Sequence, residues 1–148
     1  MNILIHYATT HSSTEKIVIK MAELLNAKVD IVNVTQFENM NKIIQNDLTI
    51  FVSPTYGDAE LHIDMEKFLT NFILQLKGKQ CLICETGNYD GYNSLFGSSL
   101  IMKHHLDLTG CSYFGPSLSL DTLPKIDWSH LEQWCEMLNN LMQKHTTM

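Results

Sequence analysis

One stretch constrains this chain more than any other. An apolar run, Ile3-Leu4-Ile5-His6-Tyr7-Ala8, stops abruptly in Thr9-Thr10-His11-Ser12-Ser13-Thr14, and five of those last six residues carry hydroxyls. Apolar Ile17, Val18, Met21, Leu24 and Leu25 follow at the one-face spacing of an amphipathic helix. The pattern predicts a buried strand, a tight loop and a helix N-terminus. Such a loop gathers backbone N–H groups, several hydroxyls and the positive end of a helix dipole at one point, where a phosphate fits. Residues 8–14 hold no Lys or Arg, so a phosphate there would be held by neutral donors. Ser and Thr also cap helices for purely structural reasons, and the loop alone leaves both readings open.

The alternation continues along the chain. Residues 27–34 predict a second strand, with Val29, Ile31 and Asn33 on one face, and residues 40–45 a short helix or turn. Residues 47–53, with Leu-Thr-Ile-Phe-Val at their centre, form the continuous apolar run of a strand buried on both faces. A loop is expected over 54–61, then a helix over 63–76 with Phe68, Leu69, Phe72, Ile73 and Leu76 in its stripe. Residues 80–85 predict a fourth strand, 86–93 are all turn chemistry, and 94–109 are helical, with Gly110 as the stop. A fifth extended segment spans 112–120, broken by Gly115-Pro116. Leu131, Trp134, Cys135, Leu138, Leu141 and Met142 mark the last helix, and Ser129 and Glu132 have capping-box spacing near its start.

Five strands alternating with helices imply a parallel sheet covered on both faces, and 148 residues suit one domain over 1–148. Ligands of such folds sit at the carboxyl ends of the strands. Three polar, turn-rich loops fall there, 8–14, 54–61 and 86–93, and two of them carry aromatics: Tyr56, Tyr89 and Tyr92. One loop suits a phosphate, and the other two could sandwich a flat ring. The dinucleotide fingerprint is missing after the first strand, as is the Gly-Lys-Ser/Thr pattern of nucleoside triphosphatases. A mononucleotide with a large ring follows, and FMN satisfies the description.

A formal net charge of −6 argues against nucleic acid and anionic membrane surfaces as partners, and permits a basic protein. No apolar run approaches the ~20 residues of a membrane span. The N-terminus shows no secretory pattern, so a cytoplasmic location is expected. Cys81 and Cys84 have redox-motif spacing, but residues three apart on a strand point to opposite faces. They should neither bond to each other nor share a metal, and they read as small buried hydrophobes. The His residues are scattered, and no metal site is assigned.

Over nearly its whole length the chain resembles the short-chain flavodoxins. Their phosphate loop reads Ser/Thr-x-Thr-Gly-x-Thr, and Thr9, Thr10, His11, Ser12, Ser13 and Thr14 occupy those places, with His11 for the middle Thr and Ser12 for the Gly. If that Gly needed a positive φ, Ser12 would be strained. Ser53-Pro54-Thr55-Tyr56-Gly57-Asp58 looks like the family loop whose aromatic packs on one flavin face. Gly87-Asn88-Tyr89-Asp90-Gly91-Tyr92, followed by Leu95-Phe96-Gly97, resembles the loop whose Tyr stacks on the other, with Tyr92 the best match.

The resemblance implies a flavodoxin-like three-layer sandwich with five parallel strands in the order 2-1-3-4-5. It also implies an FMN site drawing on the phosphate-loop residues, on residues 53–58, and on Glu85, Thr86, Gly87, Asn88, Tyr89, Tyr92 and Phe96. It implies a monomeric carrier of single electrons rather than an enzyme, taking them from a reductase and passing them to a metalloenzyme or haem protein. Asp58 and Asp90 would lower the flavin potential, and the Gly57–Asp58 peptide would reorient on reduction. Rival expectations are an activator of a ribonucleotide reductase, an FMN-dependent quinone reductase, and a regulatory module of the same fold without flavin.

Overall fold

The computed structural model describes residues 1–9, 12–36, 43, 45–56, 60–72, 76–87, 97–122 and 125–147. In its sheet, β1 (Asn2–Tyr7) is parallel to the edge strand β2 (Lys28–Asn33) on one side and to the central strand β3 (Leu48–Tyr56) on the other. Next comes β5 (Gln80–Gly87), parallel to β3. On its outer edge β5 carries β6 (Ser112–Tyr113) near its start and β7 (Leu118–Asp121) near its end. The short β4 (Glu60–Leu61) pairs antiparallel with the tip of β3. With β6 and β7 taken as one interrupted strand, the parallel core has the order expected from the sequence.

Strand alternation divides the interior into two layers. Ile3 and Ile5 of β1, Ile50 and Val52 of β3, and Leu82 and Cys84 of β5 pack against α1 (Ser12–Leu24) and α4 (Trp128–Thr147). Leu4, Phe51, Cys81 and Ile83 point the other way, towards α2 (Ile63–Phe72) and α3 (Ser98–Asp107). The stripe of α1 buries Ile17, Val18 and Met21, with Leu25 just beyond its end, and that of α4 buries Leu131, Trp134, Cys135, Leu138 and Met142. Cys81 and Cys84 lie in opposite layers and both are free thiols, as strand geometry requires.

Several boundaries differ from the sequence reading. Residues 54–56, expected in a loop, continue β3, because Thr55 and Tyr56 pair back onto Leu61 and Glu60. The fifth extended segment is two strands rather than one. Gly115-Pro116 lifts the chain off β5 between them, and the Pro116 carbonyl accepts the Trp134 indole N–H at 3.0 Å. The cap of α4 is Asp127, whose Oδ1 accepts the His130 N–H at 3.2 Å, so the Ser129–Glu132 box is not what opens the helix. At α2 the cap is His62, whose Nδ1 accepts the Asp64 N–H at 3.0 Å.

In β2, Val29 and Asn33 are half-buried but Ile31 is 36% exposed, because an edge strand has a neighbour on one side only. Described residues of α3 begin at Ser98, and residues 94–96 of the expected helix lie outside them. Gly110, at φ 76°, follows α3 in the left-handed conformation that glycine tolerates best. Of the expected helix or turn at 40–45 only residues 43 and 45 are described, both helical, and residues 73–75 of the expected 63–76 helix fall outside.

Candidate functional site

Strands β1, β3 and β5 are parallel, so their carboxyl ends share one edge of the sheet. At the first end, the Ala8 N–H donates to the Val52 carbonyl at 3.1 Å and closes β1 against β3. Thr9 is half-buried, and α1 starts three residues later, at Ser12. Ser12 therefore has helical backbone and none of the positive-φ strain that a glycine position would impose. Ser13 is half-buried and Thr14 buried. Thr10, His11 and the Ser12 side chain lie outside the described residues.

At the second end, Ser53 is fully buried and its hydroxyl donates to the Pro54 carbonyl at 3.2 Å. The Thr55 hydroxyl lies 2.7 Å from that of Ser98, tying β3 to the first turn of α3. Tyr56 ends β3. Its side chain, Gly57 and Asp58 lie outside the described residues.

At the third end, Glu85 and Thr86 are buried and Gly87 is half-buried. Glu85 Oε1 accepts the backbone N–H of Gly97 at 3.1 Å and of Ser99 at 3.0 Å, and Oε2 accepts the Ser119 hydroxyl. The Gly87 carbonyl accepts the Thr122 N–H at 2.9 Å and the Thr122 hydroxyl at 3.1 Å. Asn88, Tyr89, Tyr92 and Phe96 lie outside the described residues.

The structure thus brings Ser53, Thr55, Glu85 and Thr86 to one edge, and it adds Ser98, Ser99 and Ser119, which sequence reasoning missed. Ser119 carried a usable signal. It stands between buried Leu118 and Leu120 on a strand, so it must face the opposite layer. Gly97-Ser98-Ser99 carried one too, since a glycine followed by small hydroxyl residues suits a helix start. Among the described residues, no group of three or more His, Cys, Asp or Glu could hold a metal ion, and no helix is long and apolar enough to cross a membrane.

These features define a doubly wound α/β protein with three chain segments leaving the carboxyl edge of a parallel sheet, the edge at which ligands of such folds sit. A family profile described as the flavodoxin domain matches residues 4–90, more than half of the chain, and the chain belongs to that family. No curated protein matches it by sequence. Solved structures share the fold. The flavodoxin of Streptococcus pneumoniae TIGR4 is 24% identical, with a TM-score of 0.75 over 92% of this chain and 96% of its own. Oxidised flavodoxin 1 of Bacillus cereus is 18% identical, with a TM-score of 0.77 over 98% and 99%. The Fusobacterium nucleatum flavodoxin, solved bound to flavin mononucleotide, is 19% identical, with a TM-score of 0.79 over 94% and 97%.

Proposed function

We propose that this chain is an FMN-binding, low-potential electron-transfer protein. In this reading it is a single domain over residues 1–148, monomeric and cytoplasmic, passing single electrons from a reductase to an acceptor redox protein. One observation carries the reading: β1, β3 and β5 end on one edge, and α1 begins at Ser12, five residues after β1 ends, with a hydroxyl-rich sequence between them.

The donor set fits the group. The first turn of α1 offers backbone N–H groups, the hydroxyls of Ser13 and Thr14 belong to it, and the first carboxylate along the chain is Glu15. A phosphate there meets the positive helix end without a competing acid in the loop itself. Thr9, Thr10, His11 and Ser12 complete the phosphate loop. Tyr56 and Tyr92 would stack on the two ring faces, with Gly57, Asp58, Asn88 and Tyr89 beside them. When bound, FMN supplies the one-electron chemistry. The chain's part is to hold the ring between aromatics, exclude water from it, and set the local charge. The solved Fusobacterium flavodoxin with FMN bound supports this choice of ligand.

The test is a visible spectrum of the purified protein before and after adding FMN. Bound-flavin absorption, quenched flavin fluorescence and two separated one-electron steps on titration are expected. A colourless protein that leaves added FMN fluorescent would overturn the proposal.

A further inference from the structure

Glu85 is fully buried, yet its carboxylate sits where a bound anion would sit, at the N-terminus of a helix. Two of its donors are backbone N–H groups at the start of α3, and the third is the Ser119 hydroxyl on β7. All three are neutral. Among the described residues no Lys or Arg forms an ion pair with it; the ion pairs are Lys20–Glu23, His62–Asp64 and Lys103–Asp107. A helix end carries about half a unit of positive charge, so it offsets the carboxylate only in part.

The place of this charge matters. Glu85 pairs in register with Ser53 of β3 and Ser119 of β7, and Thr55 of β3 reaches the same first turn of α3 through Ser98. Glu85 is two residues before the end of β5, and its partner Gly97 is where the described chain resumes after residues 88–96. It therefore lies between β3 and β7, near the carboxyl edge of the sheet.

We propose that the buried Glu85 carboxylate belongs to the flavin site and lowers the potential of a flavin bound at this edge. The inference rests on the FMN reading. Reduction adds negative charge to the ring, and a buried carboxylate on the same edge opposes that more strongly than an exposed one, because little water screens it.

The isosteric variant isolates the charge. In Glu85→Gln the amide oxygen still accepts from Gly97 and Ser99, and the amide N–H donates to a Ser119 hydroxyl that turns to accept. The hydrogen bonds are kept while the anion is lost. Redox titration of the FMN-loaded variant should show about a tenfold shift favouring the reduced flavin, equivalent to ~59 mV for one electron. Ser119→Ala should move the potential the opposite way, because it strips a donor from the carboxylate and leaves the charge less compensated. This second variant decides the matter if Glu85→Gln fails to fold. Potentials equal to wild type in FMN-loaded Glu85→Gln, or shifts of the same sign in both variants, overturn the inference alone. A wild-type protein that takes up no FMN overturns the FMN reading, and this inference falls with it.

Discussion

The two faces of the sheet are made by the same strands and are chemically unlike. Towards α1 and α4, the inward residues of β1, β3, β5 and β7 include Ile3, Ile5, Tyr7, Leu48, Ile50, Val52, Leu82, Cys84, Leu118 and Leu120, a largely apolar layer with buried Thr86 at the carboxyl end of β5. Towards α2 and α3, the same strands offer Leu4, Phe51 and Ile83 but also His6, Thr49, Ser53, Thr55, Glu85 and Ser119. The polar residues on this second face concentrate at the carboxyl edge. Burying them costs free energy unless each is hydrogen-bonded, and the structure supplies bonds between Thr55 and Ser98 and from three donors to Glu85. One face supplies stability, whereas the other gives up some apolar area to tie the strand ends to the start of α3.

The largest expected effect belongs to the apolar face. Ile50 is fully buried between β1 and β5, and Ile50→Ala should cost about 2–5 kcal/mol of unfolding free energy. The denaturation midpoint at neutral pH measures it. The loss should be the same at pH 7 and pH 5, because no titratable group is touched. A loss that grows with acidity would mean the two layers are coupled.

The second effect belongs to the other face. His6 lies against Phe51 and Phe68, with ring centroids 5.4 and 4.8 Å away. Burial pulls its pKa from 6.5 down to about 3. On acidification the unfolded chain therefore binds the proton first. The stability that neutral His6 confers is fully present above pH 6.5 and is lost progressively from there down to about pH 3. The loss is about 2 kcal/mol between pH 7 and pH 5. Comparing wild type with His6→Leu at both pH values isolates this from the carboxylates. If the two chains lose equal stability on acidification, His6 is not the acid-sensitive group.

These contrasts show what a sequence reveals and what it hides. Periodicity makes the dry face and the helix stripes legible, because burial selects apolar residues at fixed spacing. The strand order follows from the family resemblance and the matching loop motifs. The polar face is harder to read. Glu85 was expected among the flavin residues through its neighbours in the motif, while its partners Ser98, Ser99 and Ser119 are far along the chain and ordinary in type. The tip of β3 was missed for a similar reason. Ser-Pro-Thr-Tyr looks like a loop until Glu60 and Leu61 pair with it, and that pairing is a tertiary fact. The caps Asp127 and His62 were missed because cap candidates lie one or two residues apart, and backbone geometry alone selects among them.

The smallest effect costs little stability and separates the layers by reactivity. Cys84 and Cys135 lie in the dry layer, where burial pushes both thiols up, Cys135 to about 12. Cys81 and Cys111 belong to the other layer and contact each other as thiols. Cys111 is half-buried, and the neighbouring Cys81 thiol pulls its thiol down, while that same neighbour and burial push Cys81 up. Thiolate content and access together set the rate of alkylation. Iodoacetamide on the native protein at pH 8 should therefore label Cys111 first, with Cys81, Cys84 and Cys135 reacting only on unfolding. Peptide mass mapping over time reads the order. Cys81→Ala removes the neighbouring thiol and should slow labelling of Cys111 although it opens space beside it. Faster labelling in that variant would show that access rather than the thiol contact governs the site. Early labelling of Cys84 or Cys135 would break the contrast outright, because it would require the apolar layer to open before the polar one.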